Sequence, residues 1–200
     1  MTEFLQYPPI FHYPDRLRLP LAFDPAGLAS DLERLDAAAW TAHYVRDNYE
    51  GAWSVVPLRA PAGATHPVRM IFPDPSAKAF DETSFLTPLV HIRAALDTFR
   101  CPLQAVRLMR LAPGSTIREH CDPDLYAENG TARLHVPITT SADVAFLLNG
   151  EKVSMAPGSV WYLRLSDPHC VFNRGTADRV HLVVDVVVDD WLKELFDAAA

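Results

Sequence analysis

The chain has 200 residues, 49% hydrophobic and 22% charged, a mix that supports one domain with a sizeable core and excludes a largely disordered chain. Its net charge of −7 leaves no basic stripe to neutralise phosphates, which argues against nucleic-acid binding. No apolar run reaches the length of a bilayer span, and Met1-Thr2-Glu3-Phe4 is not a basic segment leading into an apolar one, so a cytoplasmic protein is expected.

The first twenty residues hold four prolines and several aromatics, which predicts an extended arm packed on the domain rather than regular structure. Asp24-Pro25 then offers an N-cap followed by proline at the first helical position. Leu28, Leu32 and Leu35 share a helical face, so an amphipathic helix is expected over Pro25 to Ala39. From Trp40 to Phe72 the chain turns irregular and strand-like, with Tyr49 to Leu58 reading as a turn entering a strand. His43, Tyr49 and Trp53 fit half-buried packing here as well as they fit a binding surface. Thr87-Pro88 repeats the cap-plus-proline signal, and Leu89, Ile92, Leu96 and Phe99 form the apolar stripe of a helix ending near Arg100. His91 has no acidic partner at ligand spacing, so surface or helix packing accounts for it.

After Cys101 the pattern changes to short β runs: Gln104 to Leu111, Thr116 to His120, Arg133 to Thr139, Val144 to Leu148, Lys152 to Met155, Ser159 to Leu165, Cys170 to Asn173 and Arg179 to Val188. Asn149-Gly150 between two of them favours a type I′ hairpin. Strands this short, separated by Gly, Pro and Asn turns, predict a mainly β fold: a double-stranded β-helix (jelly roll, cupin-like) with flanking α-helices. Asp189 caps a last helix with Trp191, Leu192, Leu195 and Phe196 on its apolar side. With no internal repeat or linker, residues 1–200 read as a single domain. Residues 1–100 supply the arm, helices and supporting strands, 101–188 the jelly-roll core and 189–200 the C-terminal helix.

Three cysteines, Cys101, Cys121 and Cys170, make an odd count with no Cys-x-x-Cys pair, so neither a disulfide framework nor a zinc knuckle is indicated. Cys121 and Cys170 adjoin histidines of interest, but strand neighbours point to opposite faces, and buried apolar filler is the expected role.

The chemistry concentrates between Arg118 and Arg179. His120 and Asp122, with His169 in a later strand-like run, read as two imidazoles and one carboxylate on one face of a metal ion. That facial triad leaves the opposite positions open, as non-heme Fe(II) oxygenases require. With eight His and 25 acidic residues, a His-x-Asp/Glu pair arises about once by chance. The flanking strands, the second histidine and a following arginine raise its value. The one-residue spacer projects both side chains the same way from an extended segment. Arg179 would anchor a dicarboxylate co-substrate through paired charge-assisted hydrogen bonds. His181 shares the facing of Arg179.

At this point the sequence resembles a known family. Arg133-Leu134-His135-Val136-Pro137-Ile138, the Asn149-Gly150 hairpin, the Pro157-Gly158 turn, the spacing of ten from His169 to Arg179 and the ending Val183-Val184-Asp185-Val186 are similar to the aspartyl/asparaginyl β-hydroxylase family of Fe(II)- and 2-oxoglutarate-dependent oxygenases. The resemblance spans roughly Trp40 to Trp191 and is densest from Arg107 onward. It implies a dioxygenase that hydroxylates an unactivated C–H of an amino acid, a carrier-bound or peptidyl residue, or a related small molecule, releasing succinate and CO2. The implied cofactors are Fe(II) on His120, Asp122 and His169, 2-oxoglutarate on Arg179 with Arg133 and His135, and ascorbate as reductant. The implied partner is a small-molecule or amino-acid-type substrate, with no nucleic acid and no membrane insertion. The segment after His43 would lie near that substrate, with Asn48, Trp53 and Arg118 as candidates to read it.

Asp122 stands where the namesake animal enzymes carry Gly, as in bacterial members resembling proline cis-hydroxylases. Met109 replaces a small hydroxyl residue. Both departures point away from an EGF-domain substrate and toward a small amino acid, a carrier-bound residue or a lipid. Two rivals remain. A non-catalytic cupin-like metal- or ligand-binding module would not need Arg179. A zinc hydrolase would need a general base, which Glu119, expected to face opposite His120, does not supply.

Overall fold

The computed structural model describes residues 11–72 and 76–200. Strand β1 (Arg16–Ala22) leads into helix α1 (Pro25–Leu32). Next come β2 (Thr41–Ala42), β3 (Tyr49–Glu50), β4 (Trp53–Pro61), α2 (Pro67–Ile71), β5 (Phe80–Glu82) and α3 (Val90–Leu96). The later strands are β6 (Leu103–Leu111), β7 (Thr116–His120), β8 (Thr131–Thr139), β9 (Val144–Leu148), β10 (Glu151–Lys152), β11 (Ser159–Leu163), β12 (His169–Asn173) and β13 (Arg179–Val187), followed by α4 (Asp190–Ala199).

The larger sheet has the order β1-β11-β8-β13-β6-β4-β2, with β5 paired to β4, and the smaller has β10-β9-β12-β7-β3. All pairs are antiparallel. From β6 onward the chain passes repeatedly between the two sheets, which makes the double-stranded β-helix. Asn149 and Gly150 take φ of 52° and 78°, the left-handed pair that closes the β9–β10 hairpin tightly.

Period-two alternation in three adjacent strands decides what faces where. Val106 and Leu108 on β6, Leu134, Val136 and Ile138 on β8, and Val180, Leu182, Val184 and Val186 on β13 form one apolar cluster with Leu28, Leu89, Ile92, Leu192 and Phe196 of the helical layer. Burying each such side chain is worth about 1.5–3 kcal/mol, so this face holds the helices to the sheet. The other phase carries Arg107 and Met109, Arg133 and His135, and Arg179, His181 and Asp185 into the roll. A second cluster, including Trp53, Leu111, Ile117, Phe146, Leu163 and Val171, packs between the sheets. The polar interior is therefore walled by apolar packing on both sides.

Three expectations change. Of the arm expected over the first twenty residues, 1–10 lie outside the described residues, and Arg16–Ala22 form an edge strand on β11. Leu17 and Leu19 alternate inward, and Pro20 is tolerated because an edge strand needs fewer ladder donors. Helix α1 stops at Leu32, where Arg34 and Leu35 donate to carbonyls only three residues back, tightening the chain out of α geometry; a 3-10 turn at Ala37–Ala39 follows. Helix α3 starts at Val90 and is not capped by Thr87. Instead the buried Asp31 of α1 accepts from the amides of His91 and Ile92 at 2.8 Å each, a cap supplied by another element. Asp189 caps α4 as expected. No helix among the described residues is long and apolar enough to cross a membrane.

Candidate active site

Strands β7 and β12 pair with His120 opposite His169, which sets the two imidazoles 4.3 Å apart between ring centroids. Asp122 lies just beyond β7, fixed by donation of its amide to the Leu165 carbonyl at 2.8 Å. Ligand atoms of His120, Asp122 and His169 all lie within 4.8 Å of one another. In both histidines Nδ1 contacts the carbonyl two residues back, Arg118 at 2.8 Å and Asp167 at 3.0 Å. A carbonyl only accepts, so the ring hydrogen sits on Nδ1 and Nε2 offers its lone pair, the tautomer a metal ligand needs. Burial, partly offset by the Asp167 carbonyl, pushes His169 down to about 4, which keeps it neutral and ready to coordinate. Two imidazoles and one carboxylate at this separation fit a divalent ion of the Fe(II) kind.

Behind Asp122 lies a network that sequence reasoning missed. Arg133 donates through Nη1 to Asp122 Oδ2 at 3.0 Å, and through Nε and Nη2 to the two oxygens of Asp185 at 2.6 and 3.1 Å. Arg107 donates to the same Asp185 at 2.7 Å. Burial opposes ionisation of Asp185, but the two guanidiniums outweigh it and hold the carboxyl well below its usual range. The signal was a charged residue flanked by apolar ones in the inward phase of a strand, Arg107 on β6 and Asp185 on β13. By resemblance Arg133 should approach the co-substrate; in the structure it lines the cavity and its guanidinium lies against these two aspartates.

Arg179 is different. Only 3% exposed, it has no carboxylate partner among the described residues; Nη2 contacts His181 Nδ1 at 2.8 Å and Nε has no hydrogen bond. Burial alone pushes its guanidinium down to about 9. Its charge lies above the Phe146 ring, which also stacks on His169 at 6.1 Å and meets the edge of His135 at 5.7 Å. His135 is also buried, with Nε2 unpartnered. A buried cation without a counter-ion is costly, and an incoming carboxylate would offset that cost.

These groups, His181 excepted, line one cavity of about 510 Å³; His181 lines a neighbouring one that shares Arg179 and Phe146. Another part of its wall is aromatic: Trp53 stacks on His43 at 3.6 Å, and His43 on Tyr44 at 4.8 Å. Burial, then the charges of Arg107 and Arg133, pushes His43 down to about 4. Asn48 and Met109 also face the cavity. Arg118 does not; it turns outward to the Asp47 carbonyl and Glu50, each at 2.9 Å, because the β7–β12 register shifts between His120 and Ile117, and the inward phase kept by Ile117 leaves Arg118 facing out. Cys170 is buried as expected, whereas Cys121, in the exposed loop after β7, is not apolar filler. Glu119 is exposed, and its charge acts on Cys170 on the outer side of the sheet.

The chain resembles known proteins in both sequence and fold. Residues 28–188 match the family model described as aspartyl/asparaginyl beta-hydroxylase. The chain is 27% identical over 165 residues to L-proline cis-4-hydroxylase of Rhizobium meliloti (strain 1021), covering 82% of this chain and 57% of that protein; it thus spans little more than half the length of that relative. In fold it is similar to a 2OG-Fe(II) oxygenase family oxidoreductase from Burkholderia pseudomallei (TM-score 0.50, 14% identity, 88% of this chain and 86% of that one). A Pseudomonas putida prolyl-4-hydroxylase gives the same score at 12% identity, over 89% and 94%. With a match running from α1 through the last strand of the roll, the chain belongs to the aspartyl/asparaginyl β-hydroxylase family.

Proposed function

We infer that the protein is an Fe(II)- and 2-oxoglutarate-dependent dioxygenase that hydroxylates an unactivated C–H of an amino-acid-type small molecule. The observation that carries this reading is Arg179: a buried guanidinium without a carboxylate partner, in the same cavity as His120, Asp122 and His169. A metal-storage module has no use for such a group, whereas a dicarboxylate co-substrate chelating the metal would place its far carboxylate against it.

When bound, iron and 2-oxoglutarate supply the oxidising chemistry, in which one oxygen atom of O2 enters the substrate as hydroxyl and the other enters succinate as CO2 leaves. The protein's own groups bind, orient and exclude water. Nε2 of His120, Nε2 of His169 and one oxygen of Asp122 would hold the ion. Arg179 would bind the far carboxylate through charge-assisted N–H bonds. His135 lines the same cavity and would add a contact to the co-substrate. Phe146, between His169 and Arg179, supplies an apolar bed for the methylene carbons.

Charge is compatible with the substrate class. The cavity wall carries Arg107, Arg133 and Arg179 against Asp122, Asp124 and Asp185, and a divalent ion balances a dianionic co-substrate, so a zwitterionic amino acid enters a cavity without net charge. The relative named above acts, by its name, on L-proline, so a free amino acid is the first substrate to test. The experiment is succinate formation from 2-oxoglutarate with Fe(II) and ascorbate across free amino acids including proline. The expected result is substrate-dependent succinate and gain of one oxygen by that substrate. Absence of turnover together with absence of 2-oxoglutarate binding would overturn the proposal in favour of a binding module.

A further inference from the structure

The Val183-Val184-Asp185-Val186 run has a charged residue in the middle of a buried strand, and metal or co-substrate ligation does not account for it. Asp185 sits on β13 between its neighbours β8 and β6, directly opposite Arg133 in the β8–β13 register. Its two oxygens accept three hydrogen bonds, two from Arg133 and one from Arg107, while Arg133 reaches Asp122 with its remaining arm. We propose that Asp185 is a positioning residue for the metal site, acting through Arg133 to keep Asp122 a one-oxygen, metal-competent carboxylate. The inference rests on reading His120, Asp122 and His169 as the metal ligands.

Two physical effects make the arrangement work. The first is geometric. A guanidinium prefers to meet a carboxylate with two parallel N–H bonds. Were Arg133 free, it could take both oxygens of Asp122 and compete with the ion. Asp185 occupies Nε and Nη2, so only Nη1 reaches Asp122, at Oδ2. The other oxygen is left for the metal.

The second effect is charge. A bare guanidinium 3.0 Å from a ligand carboxylate would oppose the arrival of a divalent cation in this poorly solvated cavity. Asp185 neutralises it at 2.6 Å. Arg107 in turn keeps Asp185 ionised despite burial, with Nη1 2.7 Å away.

Removing Asp185 therefore weakens the metal while leaving the triad itself untouched. Partners that orient a metal ligand typically change affinity by roughly 10- to 100-fold. The test titrates Co(II) into full-length protein and records affinity and the d–d absorption bands. Asp185→Asn is expected to bind Co(II) roughly 10-fold or more weakly and with shifted bands. Its KM for 2-oxoglutarate at saturating metal, which reports on Arg179, should stay near wild type. Wild-type affinity and bands in a folded Asp185→Asn variant would overturn the inference.

Asp185→Asn leaves two buried guanidiniums under-compensated and can fail to fold. The double variant Arg107→Met/Asp185→Asn removes one cation with the anion, and the same loss of Co(II) affinity is expected there. Wild-type Co(II) binding in that variant would equally overturn the inference. Failure of the wild-type protein itself to bind Co(II) would instead remove the metal reading on which it rests.

Discussion

Arg179 Nη2 donates to Nδ1 of His181 at 2.8 Å, so the guanidinium's nearest polar partner is a neutral imidazole and not a carboxylate. A guanidinium has no acceptor, which makes the imidazole nitrogen the acceptor and puts the His181 hydrogen on Nε2. The contact orients the fork without discharging it. Arg179→Met should therefore raise the 2-oxoglutarate requirement by about 100-fold, the equivalent of about 3 kcal/mol of lost charge-assisted bonding. It should leave the apo protein as stable as wild type or more so, because a buried unpaired charge has gone. Thermal unfolding with and without 2-oxoglutarate in the presence of Mn(II) checks both halves. A variant that still gains stability from 2-oxoglutarate would remove Arg179 from the co-substrate site.

Asp122 can be deleted more cheaply than its ion pair suggests. Breaking a buried pair normally strands a charge at a cost of about 3–5 kcal/mol. Here Arg133 keeps both bonds to Asp185, and the Asp122 side chain is already 33% exposed. Asp122→Ala should cost stability only about 1 kcal/mol while abolishing metal-dependent hydroxylation. Denaturant unfolding and an oxygen-incorporation assay on one preparation measure the two effects together. Hydroxylation at the wild-type rate would end its assignment as a ligand.

Much of this was legible in the sequence because the strands are short, alternating and punctuated. His120, His169 and Arg179 fall in runs whose boundaries the turn residues mark, and Asp122 follows the first of them by two positions, so their convergence followed from the expected winding of the roll. The missed features depend on contacts between elements. Asp31 looks like an ordinary polar residue on a helix until α3 supplies two amides for it. Asp185 and Arg107 carry a local signal, a charge flanked by apolar residues in a strand, but their pairing needs β13 to lie between β6 and β8, an order that periodicity does not reveal. Strand β1 was hidden by prolines and aromatics around a Leu17–Leu19 alternation too short to stand alone.

Acid should destabilise the metal-free protein over a defined range. His43 and His169 are held down to about 4, against an ordinary value of 6.5, mainly by burial. His135 and His181 are also held well below it, by burial and then the charge of Arg179. Between pH 6.5 and about 4 the unfolded chain binds protons that the folded one refuses, so stability is full above that window and falls as pH drops through it. Asp185, held below its ordinary 3.8, contributes in the same direction only at stronger acidity. Lowering the pKa of one group by 1 is worth about 1.4 kcal/mol, so His43 alone accounts for a few kcal/mol by the bottom of the window. His43→Phe keeps a ring against Trp53 and should flatten the pH dependence of unfolding by up to one proton. Denaturant curves in chelator at several pH values measure that slope, and identical slopes in variant and wild type would contradict the assignment.

Tyr44 gives the cleanest way to separate substrate reading from co-substrate binding. Its ring stacks on His43 and packs at 5.4 Å against Phe72, so the scaffold holds the ring without help from the hydroxyl. Burial, then the opposed charges of Arg107 and Asp122, acts on that phenol, which lines the cavity and keeps its proton at neutral pH. A protonated phenol can donate to a substrate carboxylate or accept from an ammonium group, and neither role involves Arg179. Tyr44→Phe should leave unfolding within about 0.5 kcal/mol of wild type. It should raise the KM for the hydroxylated substrate by about tenfold, the loss of one hydrogen bond in a poorly solvated site, with the KM for 2-oxoglutarate unchanged. Steady-state kinetics varying each reactant in turn decides it: equal shifts in both constants would mean that the aromatic wall shapes the whole cavity and reads no substrate group.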